Sequence, residues 1–284
     1  MDHVLLTRFN LPSAGVESTF RTRDGWLEGR VALFERYCLP SVARQSHPNA
    51  KWLIYFDPDS PHWLKQWIAS SCNEQFVPVF RAEVDRTCLL SDIERLFPSK
   101  SRHLMTTNLD NDDGLGRDFV ARLQKTDRTA PRRAVYLTRG LIKDASGVYL
   151  RRDRENAFCS VLETWDEPVT CWTDWHNRLQ LSMPMVQIGG APAWLQVVHG
   201  TNVSNRVRGM LVSPDRYRDD FVGLDDVPAA PVRQVWADRV ARMPVRTTRD
   251  ACRTTVRRTA VAVLGKDGFN AAKARLAGVK AASS

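Results

Sequence analysis

The sequence predicts an α/β fold: a mixed, mainly parallel sheet flanked by helices, followed by a basic helical C-terminal extension. Three observations lead there. Over the first 110 residues, short runs of strand character alternate with helical patterns across short connections, as in sheets built from strand–helix–strand units. Beyond residue 124 turn residues rather than helices separate the runs, so the second half adds antiparallel elements. Charge is also unevenly placed. Residues 1–232 hold 29 basic and 29 acidic side chains, whereas residues 233–284 hold 12 basic and 3 acidic, which is the whole of the net +9.

His3–Phe9 is the first strand, ending near Arg8 and Asn10 before a Pro-Ser-Ala-Gly loop. Trp26–Gln45 is a helix, with Val31, Leu33, Phe34, Tyr37 and Cys38 apolar and Pro40 expected to bend or restart it. Lys51–Asp57 is the second strand, His62–Cys72 a helix, Phe76–Arg81 the third strand and Thr87–Phe97 a helix. Arg102–Asp110 is the fourth strand and runs straight into an acidic cluster. Leu115–Gln124 reads as a helix. Ala134–Lys143 and Gly147–Arg151 read as a hairpin, followed by strands at Ser160–Trp165, Val169–Thr173 and Trp194–His199.

A chain of 284 residues with 43% hydrophobic side chains can bury a large core. The expected division is one body, residues 1–232, and an extension, residues 233–284. The longest apolar stretches, Trp194–Val198 and Ala260–Leu264, are far shorter than the roughly 20 residues that span a bilayer. The N-terminus lacks the basic and long apolar regions of a signal peptide, so a cytoplasmic protein is expected. The six cysteines form no C-x-x-C pair and read as buried small residues. In the extension, Val256, Ala260, Val261 and Leu264 recur at helical spacing, and Phe269, Ala272 and Leu276 begin a second helix. Three roles compete for it: a helix packed on the body, peripheral contact with an anionic membrane at its inner face, or nucleic-acid contact. The last is disfavoured because only Trp236 and Phe269 are available to stack on bases.

The most informative stretch is Asn108-Leu109-Asp110-Asn111-Asp112-Asp113-Gly114. Ligands of open α/β sheets collect at the carboxyl ends of strands, where this cluster falls. Asp110 and Asp112 share the strand's period of two, so both can point to one side. Like charges that close repel unless a counter-ion is supplied, and a hard divalent cation supplies it while also accepting phosphate oxygens. The alternative is a solvated acidic turn. A Ca²⁺ loop of the EF-hand type starting at Asp110 fails, because Leu115 stands where Gly is required and Ala121 where Glu is required.

A strand followed by Asp110-x-Asp112 after a series of βα units resembles the Asp-x-Asp motif of nucleotide-sugar-dependent glycosyltransferases with the GT-A fold. Arg8-Phe9-Asn10, the Leu39-Pro40-Ser41-Val42 to Gln45 stretch, Asp110–Gly114 and Trp194–Asn202 together resemble a bacterial rhamnosyltransferase family over about residues 3–210. The resemblance implies a nucleotide-sugar donor, UDP-, GDP- or dTDP-linked, and Mn²⁺ or Mg²⁺ as cofactor. It implies that Arg8, Asn10 and Asp57 hold base, ribose or phosphate, that Asp110 contacts ribose or the donor sugar, and that Asp112 binds the metal with Asp110 and His199 as partners. Asp113 shares either task, and Asn202, Asn205 and Arg206 lie where they can reach the diphosphate. For the base that deprotonates an acceptor hydroxyl on a glycan, lipid or other molecule, Asp174 between Trp172 and Trp175 is the first choice, with Glu163 and His176 behind it. Trp165, Trp172, Trp175 and Trp194 are either core or a sugar platform.

Other classes stay open on the residues alone. A metal-dependent phosphohydrolase uses similar carboxylates but needs more ligands spread over the sheet. A nucleotidyltransferase needs a Gly-rich basic loop after the first strand, and Leu11–Gly15 has one Gly. A carbohydrate- or nucleic-acid-binding module accounts for the tryptophans or the tail, not for the strand-end carboxylates. Neither G-x-x-x-x-G-K-[ST] nor G-x-G-x-x-G occurs, which removes P-loop enzymes and dinucleotide dehydrogenases.

Overall fold

The runs Val4-Leu5-Leu6 and Trp52-Leu53-Ile54-Tyr55-Phe56 offer no polar side to water, so they form strands covered on both faces; each of these residues is at most 1% exposed. The computed structural model describes residues 1–12, 25–47, 49–71, 76–199, 206–249 and 252. Strands β1 (Asp2–Arg8), β2 (Lys51–Phe56), β3 (Val77–Phe80) and β4 (His103–Asn108) are mutually parallel in the order β3-β2-β1-β4. Helices α1 (residues 26–43), α2 (His62–Ser71) and α3 (Arg86–Leu96) lie between them in the chain. Beyond β4 come β5 (Gly114–Leu115), helix α4 (Phe119–Gln124), β6 (Arg132–Leu137), β7 (Arg139–Asp144), β8 (Gly147–Arg152) and β9 (Ser160–Thr164). β10 (Met185–Ile188), β11 (Trp194–Val197), β12 (Met210–Val212) and helix α5 (residues 232–249) complete the described chain. One sheet runs β10-β6-β9-β4-β1-β2-β3, with β9 alone antiparallel; a second runs β12-β8-β7-β11-β5. This is the mixed, mainly parallel α/β sheet that the sequence predicts.

Aromatic side chains fill the layer between α1 and the large sheet. Phe34 lies 5.4 Å from Phe9 and 5.5 Å from Trp52, ring centre to ring centre. The opposite face is closed by α3 through Leu89 and Ile93, which pack with Val4, Leu6 and Tyr55. A third cluster, with Tyr37, Leu141, Val148, Leu195 and Phe221, joins the small sheet to α1.

Three sequence expectations are corrected. Ala134–Lys143 is not one hairpin arm. It divides at Thr138, whose N–H and hydroxyl both donate to Ile188 O, so β6 enters the large sheet and β7 the small one. The β7–β8 hairpin itself is as expected. Gly140 is required in β7, because a Cβ there would stand 2.0 Å from the Trp194 ring. Leu115–Gln124 is not a single helix: β5 pairs with β11, and α4 starts only at Phe119. Val169–Thr173 is not a strand, because its first N–H groups bond to a side chain rather than to a neighbouring strand.

Pro40 does not stop α1. The helix is α-helical over Trp26–Leu33 and Leu39–Ala43, with a π-turn at Phe34–Cys38 in which Leu39 N–H donates to Phe34 O. A proline ring collides with the carbonyl four residues back, and a turn widened by one residue moves that carbonyl aside. The same device recurs in α5: a π-turn at Asp238–Arg242 precedes Pro244. Among the described residues no helix is long and apolar enough to cross a membrane. The helices expected at Val256–Leu264 and after Phe269 lie outside the described residues.

Candidate active site

From β1 the chain moves to β2 on one side, while β4 flanks β1 on the other. Connections therefore diverge between β1 and β4 and leave a crevice at their carboxyl ends, the switch point of an open α/β sheet. Arg8 ends β1, and Asp110–Asp113 follow β4, so both reach that crevice. Thr7 Oγ1 donates to Leu109 O at 2.7 Å and fixes the exit of β4 against β1. Asn111 then donates through Nδ2 to Phe9 O at 2.6 Å and to Arg8 O at 3.2 Å.

Pairing of β5 with β11 folds the small sheet back over the cluster. Leu195 lies opposite Gly114, so the residues after Leu195 run back alongside Asp113 and Asp112. Val197 N–H donates to Asp113 Oδ1 at 2.8 Å, and His199 Nε2 stands 2.9 Å from Asp112 Oδ2. Arg30 Nη1 meets the same Asp112 oxygen at 2.9 Å and also donates to Asn111 Oδ1 at 3.0 Å. Burial works to raise the Asp112 pKa, but the His199 hydrogen bond and the Arg30 charge outweigh it and leave the group below its ordinary value.

The three carboxyl groups are not equivalent. Asp113 is fully buried, and burial, followed by the charges of Asp112 and Asp110, drives its pKa well above the carboxylate range. Its Oδ2 has no hydrogen-bond partner among the described residues. Asp113 thus fastens β11 to the cluster through Val197 N–H, buried away from solvent. Asp110 keeps an accessible side chain and accepts from Asn108 Nδ2 at 3.2 Å. Its pKa is nevertheless pushed up to about 6, first by lost hydration among the surrounding protein atoms and then by the Asp112 charge. Asp110 is oriented toward Asn108, while Asp112 and His199 meet each other; among the described residues no three metal-ligating side chains converge.

Asp112 and His199 still suit a divalent cation. Two atoms bound at right angles to one ion at about 2.1 Å lie roughly 3 Å apart, and Asp112 Oδ2 and His199 Nε2 are 2.9 Å apart. A carboxylate and an imidazole are donors acceptable to Mn²⁺ or Mg²⁺.

Around the crevice, Arg8 lies over the Trp172 ring at 4.2 Å, and Trp172 Nε1 donates to Asn108 Oδ1 at 2.8 Å. This brings the Cys171–His176 segment to the rim. Asp174 is half-buried there, accepting from Trp175 N–H at 2.7 Å and pairing with Arg178 at 3.3 Å. His176 is also half-buried, burial lowering its pKa, and its carbonyl accepts from Tyr136 Oη. Trp175 is exposed, as a sugar platform requires, whereas Trp194 is core, stacked on Phe158.

Other expected residues are placed differently. Glu163 is fully buried toward the opposite end of β4, paired with Leu104 rather than near Asn108. It holds Arg132 at 2.8 Å and the N–H groups of Val169 and Thr170 at 2.9 Å each, so it is withdrawn as a base. Asn10 is buried and stitches β1 to the end of β2, accepting from Asp57 N–H at 3.0 Å and donating to Ser60 Oγ at 2.9 Å. Asp57 accepts from Asp59 N–H at 2.9 Å within the turn after β2. Arg206 is exposed, and Asn202 lies outside the described residues.

Arg30 was missed, and Asn111, Ser41 and Gln45 were read only as parts of their stretches, without a role. Ser41 Oγ accepts from Leu115 N–H, and Gln45 bonds Gly116 O and Val120 N–H, so α1 holds the chain just past the cluster. One signal for Arg30 was available. Trp26, Arg30 and Phe34 share a helical row, and Trp26 and Phe34 are buried, so Arg30 is a charge in a core row.

Residues 2–211 match the family described as "Putative rhamnosyl transferase". The chain belongs to this family. No curated protein matches the sequence. Among solved structures it is similar to S. aureus TarS 1-349 in complex with UDP-GlcNAc, at 8% identity and TM-score 0.45, covering 77% of this chain and 64% of that one. It thus spans less than two thirds of the TarS fragment. It is also similar to the "putative nucleotide-diphospho-sugar transferase from Desulfovibrio desulfuricans G20", at 10% identity and TM-score 0.34, covering 71% and 84%. A third is the inositol-1-phosphate CTP transferase from T. maritima, at 7% identity and TM-score 0.37, covering 72% and 92%.

Proposed function

We propose that this member of the rhamnosyl transferase family moves a sugar, rhamnose by its family, from a nucleoside-diphosphate donor to a hydroxyl of a glycan, lipid or other acceptor. The observation that carries the reading is the meeting of Asp112, His199 and Arg30 in the crevice between β1 and β4. Asp112 and His199 would hold a Mn²⁺ or Mg²⁺ ion, and Asp110, in the same loop as Asp112, would take the donor's ribose or sugar. A bound cation offsets the negative charge that gathers on a leaving diphosphate. Arg30 and Arg8 bring two more positive charges to the crevice, with Asn202 and Arg206 assigned to the same diphosphate by the family resemblance. Asp57, just past β2, is assigned to the base or ribose by the same resemblance.

Asp174 is proposed to take the proton from the acceptor hydroxyl as the new bond to the anomeric carbon forms. Its support is the docking of Trp172 beneath Arg8, which brings the neighbouring carboxylate to the rim, and the exposed Trp175 beside it. His176, with its ring disposed to stay neutral, is the second candidate.

Thermal unfolding with Mn²⁺ and UDP, GDP or dTDP tests the reading. One nucleotide together with Mn²⁺ should stabilise the chain beyond the sum of the separate effects, the total reaching about 2.7 kcal/mol at a hundredfold excess of nucleotide over its Kd. Asp112→Asn should abolish the joint shift. Asp174→Asn should keep it while turnover falls by roughly 10²- to 10⁴-fold. A joint shift missing for all three nucleotides, or intact in Asp112→Asn, would sink the proposal.

A further inference from the structure

A helix packed on a globular body usually turns its large apolar side chains inward, and helix α5 leaves four of them facing out. Over residues 232–242 the one buried side chain is Asp238. It is clamped by Arg246 at 2.6 and 2.7 Å and accepts from Leu211 N–H of β12. Arg246 also donates to Gly209 O and lies over the Tyr149 ring. The docked side is thus held by a buried ion pair, with Val235 and Met243 half-buried along it, while four large apolar side chains face out: Val232 is 79% exposed, Trp236 65%, Val240 62% and Val245 50%. Their spacing is four, four and five, and the five-residue step crosses the π-turn, whose additional residue keeps Val245 on the outer side. Arg233, Arg239 and Arg242 are exposed on the same helix, Arg233 beside Val232 and Arg239 beside Val240.

We infer that this outer face is an interfacial anchor, lying in the headgroup layer of an anionic lipid bilayer. Charge selects this occupant. Residues 250–284 hold seven basic and two acidic side chains, so covering the face with that segment sets arginine against arginine and lysine. A second copy across a two-fold axis repeats the conflict, because each patch meets itself. An anionic bilayer accepts the arginines at its phosphates while Val232, Val240 and Val245 enter the acyl boundary, with Trp236 at the level such rings prefer. Residues 233–284 hold the entire net positive charge of the chain, so long-range attraction acts at the same end. The inference stands apart from the transferase reading, since it needs neither donor nor acceptor.

Co-sedimentation of the full chain with vesicles tests it. Vesicles mixing phosphatidylglycerol with phosphatidylcholine should capture the protein at low salt, and pure phosphatidylcholine should not. W236E/V240E and, separately, R233Q/R239Q/R242Q should each lower the partition coefficient about a hundredfold. All five positions are exposed, so the unfolding temperature should hold; V232E, at the most exposed site, is the further variant if either set unfolds and should likewise weaken binding. Failure to bind anionic vesicles, or binding unchanged in every variant, overturns the inference. So does a dimer in sedimentation velocity that W236E/V240E splits, or single-stranded RNA bound where anionic vesicles are not.

Discussion

His3 sits in β1 at the centre of the large sheet, fully buried, with Nε2 2.9 Å from Thr107 Oγ1. Burial disfavours its imidazolium and lowers its pKa to about 3. An unfolded histidine takes its proton near pH 6.5, so between pH 6.5 and 3 the unfolded chain binds more protons and acid weakens the fold. From pH 7 to pH 5 this one residue removes about 2 kcal/mol. His3→Gln should flatten the fall in urea midpoint over that range, and an unaltered slope would refute the assignment. Residue chemistry was legible in the sequence where the side chain states its own purpose. The family resemblance pointed to Asp112 and His199 together, and the structure brings the two side chains to 2.9 Å. Arg30 was not picked out, because a charge in the row of Trp26 and Phe34 signals a buried partner without naming Asp112.

Element boundaries were legible wherever local pattern and tertiary role agreed. β1 to β4 and their helices fall within two residues of expectation, since each needs only an apolar face and a terminating turn. The segment after β9 shows the failure. Val169–Thr173 has strand-forming residues, yet Glu163, reaching from the strand before it, gathers its leading N–H groups and holds it as a turn. Glu167 and Thr170 adopt positive φ of 45° and 67° there, conformations no strand contains. Glu163→Ala should therefore cost about 3 kcal/mol, by leaving Arg132 and two N–H groups without their acceptor. The expected readout is a lower denaturant midpoint with the Mn²⁺–nucleotide shift intact. Lost turnover at unchanged stability would return Glu163 to the catalytic candidates.

At the scale of the whole molecule, the large sheet was legible and the small one was not. Strand–helix alternation announces a parallel sheet, but nothing local tells that β7, β8, β11 and β12 leave it for a sheet of their own. That choice rests on distant contacts, such as the fit of Trp194 over Gly140. Lys143 is one tie across the assembly: from β7 its buried Nζ reaches Tyr37 Oη of α1 at 3.0 Å and Asp226 at 3.1 Å in the chain beyond β12. Asp226 also pairs with Arg36. Asp226→Ala leaves the Lys143 ammonium without its counter-charge and should cost about 2 to 3 kcal/mol. Calorimetry should show one transition at lower temperature if the two sheets unfold together, and two transitions if that tie alone couples them.

The widened turn at Phe34–Cys38 sets the rotational phase of everything after it in α1. Deleting one residue there would rotate Ser41 and Gln45 by about 100° about the helix axis, away from Leu115, Gly116 and Val120. The acidic loop would keep all its charges and lose its rear fastening. In this stretch the count of residues governs the chemistry as firmly as their identity.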